Sequence, residues 1–127
     1  MSNEDVVRRY FYCLDHEDWV QMRELWHEDG VLRAVGARPR DGIEEVMDLF
    51  GKLFVPWVRH EDAPTRIIAA DATVTVEVTF TGTTEDGREV TFDAVDVFDL
   101  RDGKIQRMSN WYDTAYARKM LSARASA

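Results

Sequence analysis

The sequence predicts an α+β domain in which helices come first and an antiparallel sheet follows. Three observations carry this. Apolar residues recur at helical spacing as far as Phe54, the period changes to strict alternation from Thr73, and two Asp-Gly turns punctuate the alternating half. Helices placed ahead of such a sheet have to bury their apolar stripes against one of its faces. A strongly curved sheet wrapped by three helices leaves a conical pocket.

The first helix opens at Ser2, where Asp5 three residues on completes a capping box, and Val6, Val7, Tyr10, Phe11 and Leu14 form its stripe. Trp19, Met22, Leu25 and Trp26 repeat the period up to Gly30 and predict a second helix; Val31 to Val35 reads as a short strand. Asp41 with Glu44 predicts the cap of a third helix, apolar at Ile43, Val46, Met47, Phe50, Leu53 and Phe54 and ended by Pro56. Val74, Val76, Val78 and Phe80 then alternate with Thr73, Thr75, Glu77 and Thr79, so one face turns inward. "EDGREV" predicts a hairpin turn into a strand over 90–100, and "RDGK" a second turn into a strand ending near "SNWYD". Residues 1–127 read as one domain, with a small, polar, poorly ordered tail after about residue 121.

Composition excludes several classes of function. A formal net charge of −8 opposes binding to phosphate backbones or anionic membranes, both of which need a cationic face. Cys13 stands alone, so neither an internal disulfide framework nor a thiolate zinc cluster is available. The N-terminus lacks the layout of a signal peptide and no apolar run approaches a membrane span, which predicts a cytoplasmic protein. His16 and His27 flank a helix among acids rather than sharing a face, and no glycine-rich loop follows a strand, so neither a metal nor a nucleotide cofactor is expected.

The order of elements, with "RRYFYCLDHEDWVQMRELWHEDGVL" early and "VDVFDLRDGKIQRMSNWYD" late, resembles the nuclear transport factor 2-like superfamily, and within it the SnoaL-like and scytalone dehydratase-like branches. The resemblance runs from Val6 to about Met120. It implies a cofactor-independent enzyme on an apolar, oxygenated small molecule such as a polyketide-like intermediate, working as a dehydratase or cyclase. Ketosteroid isomerase-like movement of a double bond is an alternative, as is a non-catalytic binding or interaction domain. It also implies a homodimer, since the exposed sheet face of this fold commonly packs against a second copy.

Four residues are candidates for the site. Asp15, three residues before Asp18 at a helix start, reads as a helix cap on its own chemistry. The resemblance to scytalone dehydratase gives it a second reading, paired with His60 in "WVRHEDAPTRII". A carboxylate on one imidazole nitrogen fixes the tautomer and leaves the other nitrogen free as a base. Asp96 shares the even-numbered face of its strand with Phe92, Ala94, Phe98 and Leu100, where burial would keep its carboxyl protonated. Tyr10 lies on the stripe of the first helix, with a hydroxyl that needs a partner. Tyr10 and Asp96 resemble in position the oxyanion-binding Tyr and Asp of ketosteroid isomerases. Each also has an ordinary structural reading: His60 as a partly exposed residue of a polar stretch, Tyr10 as core, and Asp96 as facing outward.

Departures from the relatives narrow the chemistry. The isomerases' general-base Asp falls at about Ala34, and the Arg-x-Asp of limonene epoxide hydrolases falls on Val78, Thr79 and Phe80, with Asn110 at their later Asp. The tyrosine beside the dyad Asp of scytalone dehydratase becomes Leu14. The expected reaction is removal of a proton α to a carbonyl by His60, with Tyr10 and Asp96 holding the enolate oxygen.

Overall fold

A computed structural model describes residues 1–122; the predicted tail beyond Ser122 lies outside the described residues. Helix α1 (Asn3–His16) begins on the expected capping box: the Ser2 hydroxyl accepts from the Asp5 N–H at 3.1 Å and the Asp5 carboxylate accepts from the Ser2 N–H at 3.0 Å. Its stripe is buried and the helix ends at Glu17, which is left-handed with φ 50°. Helix α2 (Trp19–Glu24) is capped by Asp18, whose carboxylate accepts the Gln21 N–H at 3.1 Å. It is shorter than its apolar spacing predicts, because Trp26 already opens strand β1 (Trp26–Ala34). There Trp26 lies opposite Ile105 in a parallel ladder, and the strand pairing overrides the helical period.

Strand β2 (Arg40–Asp41) pairs with β1, so Asp41 belongs to a ladder and does not cap the next helix. Helix α3 (Ile43–Leu53) starts after Gly42 with no side-chain cap, and Glu44 and Glu45 in its first turn complement the positive end of its dipole. The chain continues through β3 (Trp57–Ala70), β4 (Thr73–Thr84), β5 (Glu89–Arg101), β6 (Lys104–Tyr112) and helix α4 (Thr114–Ser122). Helix α4 is an addition to the sequence reading: its buried residue is the small Ala117, too weak an apolar signal to mark a helix ahead of the tail.

The six strands form one sheet in the order β2-β1-β6-β5-β4-β3. Among the described residues only β1 and β6 run parallel. Asp102 and Gly103, with φ 52° and 75°, make the β5–β6 turn as a left-handed pair whose twist suits a hairpin. Alternation holds along β4, where Val74, Val76, Val78 and Phe80 are all buried, and along β5 through Val90, Asp96, Phe98 and Leu100. The inner face meets α1 and α3. Phe98 is fully buried with its ring 4.9 Å from that of Tyr10 and 5.9 Å from that of Phe11, both edge-on. Trp19 stacks on Phe50 at 5.5 Å, which joins α2 to α3. Among the described residues no helix is long and apolar enough to cross a membrane.

Phe98 sits where α1 meets the sheet, so its loss leaves a cavity that three elements cannot fill together. Phe98→Ala should cost roughly 3–5 kcal/mol of unfolding free energy. Urea titration measures this, and a loss below about 1 kcal/mol would mean that α1 does not depend on this contact.

Candidate active site

Between the inner face of the sheet and helices α1, α3 and α4 lies a cavity of about 280 Å³. Its wall is apolar apart from Tyr10, Asp62, Asp96, Asn110 and Tyr112. Phe50 and Phe54 come from α3, Phe80 from β4, Phe92 from β5 and Trp57 from the start of β3. The rings of Trp57, Phe80, Phe92 and Tyr112 follow one another at 5.0, 5.0 and 5.1 Å, a continuous aromatic strip across four strands. Trp57 owes its place to Gly82: a Cβ there would lie 2.5 Å from the indole, so only glycine lets the ring lie flat on β4.

Asp96 points into this cavity, as its parity on β5 predicts, and is 5 % exposed. The side-chain amide of Asn110, directly opposite on β6, donates to its Oδ1 at 2.6 Å. Burial pushes the Asp96 carboxyl up to about 7, against the stabilising pull of that hydrogen bond. The Arg33 guanidinium lies over the Trp111 ring, 5.6 Å from its centroid, and is not among the residues lining the cavity. Tyr10 also lines the cavity; burial, then the charges of Asp96 and Asp62, raise its phenol well above the usual value, so it is a donor at neutral pH. Among the described residues its hydroxyl has no hydrogen-bond partner.

The structure brings a third acid to this pair that sequence reasoning passed over. Asp62 on β3 lines the cavity, and its carboxyl is pushed up to about 8 by burial first and then by the charges of Asp96, Asp15 and Glu61. It lies two residues from His60 and opposite Phe80, an inward residue of β4, a pairing that the irregular pattern of β3 does not reveal in the sequence. The lining contains no Lys, Arg or His among the described residues. Two carboxyl groups therefore share an apolar chamber without a counter-charge, and together they retain a proton into the neutral range.

Asp15 and His60 stand elsewhere. Neither lines the cavity, and no hydrogen bond joins them. His60 Nε2 meets Glu17 Oε2 at 3.1 Å, its ring stacks on Phe54 at 3.5 Å, and its buried Nδ1 has no partner. Asp15 lies in the last turn of α1, and its Oδ1 accepts the backbone N–H of Asp62 at 2.8 Å. It is not the cap of α2, a place taken by Asp18. Burial raises the Asp15 carboxyl while the Asp62 hydrogen bond opposes the shift. Both residues thus brace the strand and the helix end that form the wall beside Asp62. Among the described residues no three His, Cys, Asp or Glu side chains are grouped to hold a metal ion.

The SnoaL-like domain model matches residues 7–108, which takes in α1 through most of β6. The chain belongs to the SnoaL-like domain family. No curated protein matches it in sequence. Among solved structures, this SnoaL-like chain is similar to a nuclear transport factor 2-like protein of unknown function from Burkholderia pseudomallei, at 20% identity over 97% of this chain and 100% of that one, with a TM-score of 0.88. A protein proposed to be a SnoaL-like polyketide cyclase from Jannaschia sp. CCS1 is 21% identical over 97% of this chain and 93% of its own, with a TM-score of 0.85. An epoxide hydrolase of M. tuberculosis, described as limonene epoxide hydrolase-like, is 25% identical over 92% of this chain and 86% of its own, with a TM-score of 0.79. The Arg-x-Asp pattern of such hydrolases has no counterpart in the wall, where Val78 and Phe80 stand instead.

The acid pair should be visible in stability. Unfolded aspartates ionise near pH 4, whereas the folded chain keeps protons on Asp96 and Asp62 up to about 7 and 8. Their contribution is therefore full below about pH 4 and declines as pH rises through that window, by a ceiling of about 1.4 kcal/mol per pH unit for each group. Surface carboxylates held low, such as Asp5 and Asp86, act below it. Asp96→Asn and Asp62→Asn should each flatten the decline and gain stability relative to the parent at pH 8. Urea titrations from pH 4 to 9 test this, and parallel curves for parent and variants would disprove the raised carboxyls.

Proposed function

We propose that this SnoaL-like domain is a cofactor-independent acid/base enzyme that enolises an apolar, oxygenated small molecule of polyketide-like character, leading to loss of water or ring closure. One observation carries the reading: Asp62, Asp96 and the Tyr10 hydroxyl converge on an aromatic cavity whose wall holds no basic side chain among the described residues. Asn110 favours the charged form of Asp96, so Asp96 ionises first and takes the proton from the carbon α to the carbonyl. Asp62 keeps the shared proton and, with Tyr10, donates hydrogen bonds to the enolate oxygen as charge develops there. The enolate then expels a β-hydroxyl as water, with the proton supplied by the acid pair, or its carbon attacks a second carbonyl to close a ring.

In this scheme the base expected at His60 passes to Asp96, because His60 lies behind Phe54 rather than on the cavity wall. His60 and Asp15 are positioning residues. Asp15 holds the Asp62 backbone through one hydrogen bond, and its charge helps to keep the Asp62 proton in place.

Enolisation is measurable without the natural substrate, as exchange of α-protons for deuterium in a bicyclic ketone such as 2-tetralone, followed by proton NMR. Exchange should be catalysed by the parent chain and fall roughly 100-fold or more in Asp96→Asn, with Tyr10→Phe losing roughly 10-fold or more at unchanged melting temperature. No catalysed exchange above buffer, or equal exchange by parent and Asp96→Asn, would sink the proposal.

Asp15 gives a sharper test of positioning. Asp15→Asn keeps an acceptor for the Asp62 N–H and removes the charge, so the pH profile of exchange should move to lower pH with the maximal rate kept within a few-fold. Asp15→Ala removes the acceptor as well, and the maximal rate itself should drop about 10-fold or more. Identical profiles for the two variants would return Asp15 to a purely structural part.

A further inference from the structure

Among the described residues the ionisable carboxyls of the cavity, Asp62 and Asp96, face no cationic side chain. Asn110 donates one N–H of its Nδ2 to Asp96; its second N–H, the Tyr10 and Tyr112 hydroxyls and the shared acid proton are further donors on the wall. Against them stand both oxygens of Asp62, the second oxygen of Asp96 and the Asn110 carbonyl. The Asp62 carboxyl, like the Tyr10 hydroxyl, has no hydrogen-bond partner among the described residues, and Tyr10 is 2 % exposed. The rings of Trp57, Phe80, Phe92 and Tyr112 line the same cavity, and aromatic π-clouds attract cations.

We infer that the cavity also takes a protonated apolar amine, its N–H directed at Asp62 and Asp96 and its hydrocarbon part against the aromatic strip, and that it excludes carboxylate ligands of the same shape. The inference rests on reading Asp62 and Asp96 as a proton-sharing pair, and it adds the charge class of ligand that this pair selects. An ammonium donor fills the acceptors that the protein leaves open, and the loss of its hydration is offset by two carboxylates in a medium of low polarity. A carboxylate ligand would meet two acids and, among the described residues, no cation.

Binding of the cation replaces the shared proton. The groups that set this linkage are Tyr10 and Asp15 from α1, Glu61 on β3 and Tyr112 from β6; α3, β4 and α4 contribute only uncharged side chains to the wall. Among the described residues of the wall none supplies positive charge. The bound amine therefore favours ionisation of both aspartates, a proton leaves on binding, and affinity rises with pH until the pair is ionised in the free chain.

Isothermal titration calorimetry with N,N-dimethylbenzylamine, benzyl methyl ether and phenylacetate, at pH 6, 7 and 8 and in two buffers of different ionisation enthalpy, tests this. The amine should bind at pH 8 at least 10-fold more tightly than the ether, gain several-fold in affinity from pH 6 to 8, and release a proton to the buffer; phenylacetate should give no heat. Asp62→Asn and Asp96→Asn should each weaken the amine about 10-fold or more while ether binding stays within twofold, which also shows that the cavity is intact. Equal affinities for amine and ether, no amine binding, or pH-independent amine binding would overturn the inference. Failure of amine binding together with loss of ketone exchange in Asp96→Asn would leave the acid/base reading standing. Amine binding with undiminished exchange in that variant would remove the acid/base reading and keep the binding site.

Discussion

The pleat of the sheet is the constraint that produces the site. Side chains alternate between two faces, and on β4, β5 and β6 one of those faces is covered by helices. A carboxylate at an inward position has no choice but to leave water. Asp96 is such a residue, with Phe98 two positions along it packed against α1. Its chemistry is not a property of aspartate but of where the parity of β5 puts it. Asn110 reaches it because the β5–β6 register sets the two residues directly opposite.

Curvature does the rest. Helix α1 is pinned at its middle by Tyr10 and Phe11 on Phe98, and at its end by the Asp15–Asp62 hydrogen bond and the nearby Glu17–His60 contact. The space between the sheet and the helices is lined by aromatic rings instead of being filled by them. The same packing that stabilises the fold thus defines the volume and brings a phenol and two acids to it. Tyr10 belongs to both accounts, its ring in the core and its hydroxyl at the cavity.

How much of this was legible in the sequence varies by element. The two residues read by periodicity, Tyr10 on a helical stripe and Asp96 on an alternating strand, lie where that periodicity puts them. The two read by family likeness, Asp15 and His60, lie close to the site but behind its wall. Asp62 was obscured because β3 shows no clean alternation: it is an edge strand with register shifts between Trp57 and Arg59 and between Pro64 and Arg66. Each shift reverses the facing of the residues beyond it, so "WVRHEDAPTRII" does not announce its inward positions. Trp26 was misread for the opposite reason, since Trp19, Met22, Leu25 and Trp26 satisfy the helical period and only a distant parallel partner, Ile105, makes the last of them a strand residue.

Strand β3 has a second aspect. It is the outermost strand, fourteen residues long, and among the described residues only β4 pairs with it. An edge of that length offers a row of unused backbone groups to any other extended chain, the usual starting point of intermolecular sheet growth. Here the row is interrupted: Pro64 carries no N–H, two irregularities break the flatness, and the N–H of Asp62 is already held by a carboxylate from α1. Asp15 thereby stands in for the missing neighbouring strand. The contact that orients an acid toward the cavity is also a guard against aggregation, and a chain that lost it would expose a longer uninterrupted template along its outermost strand.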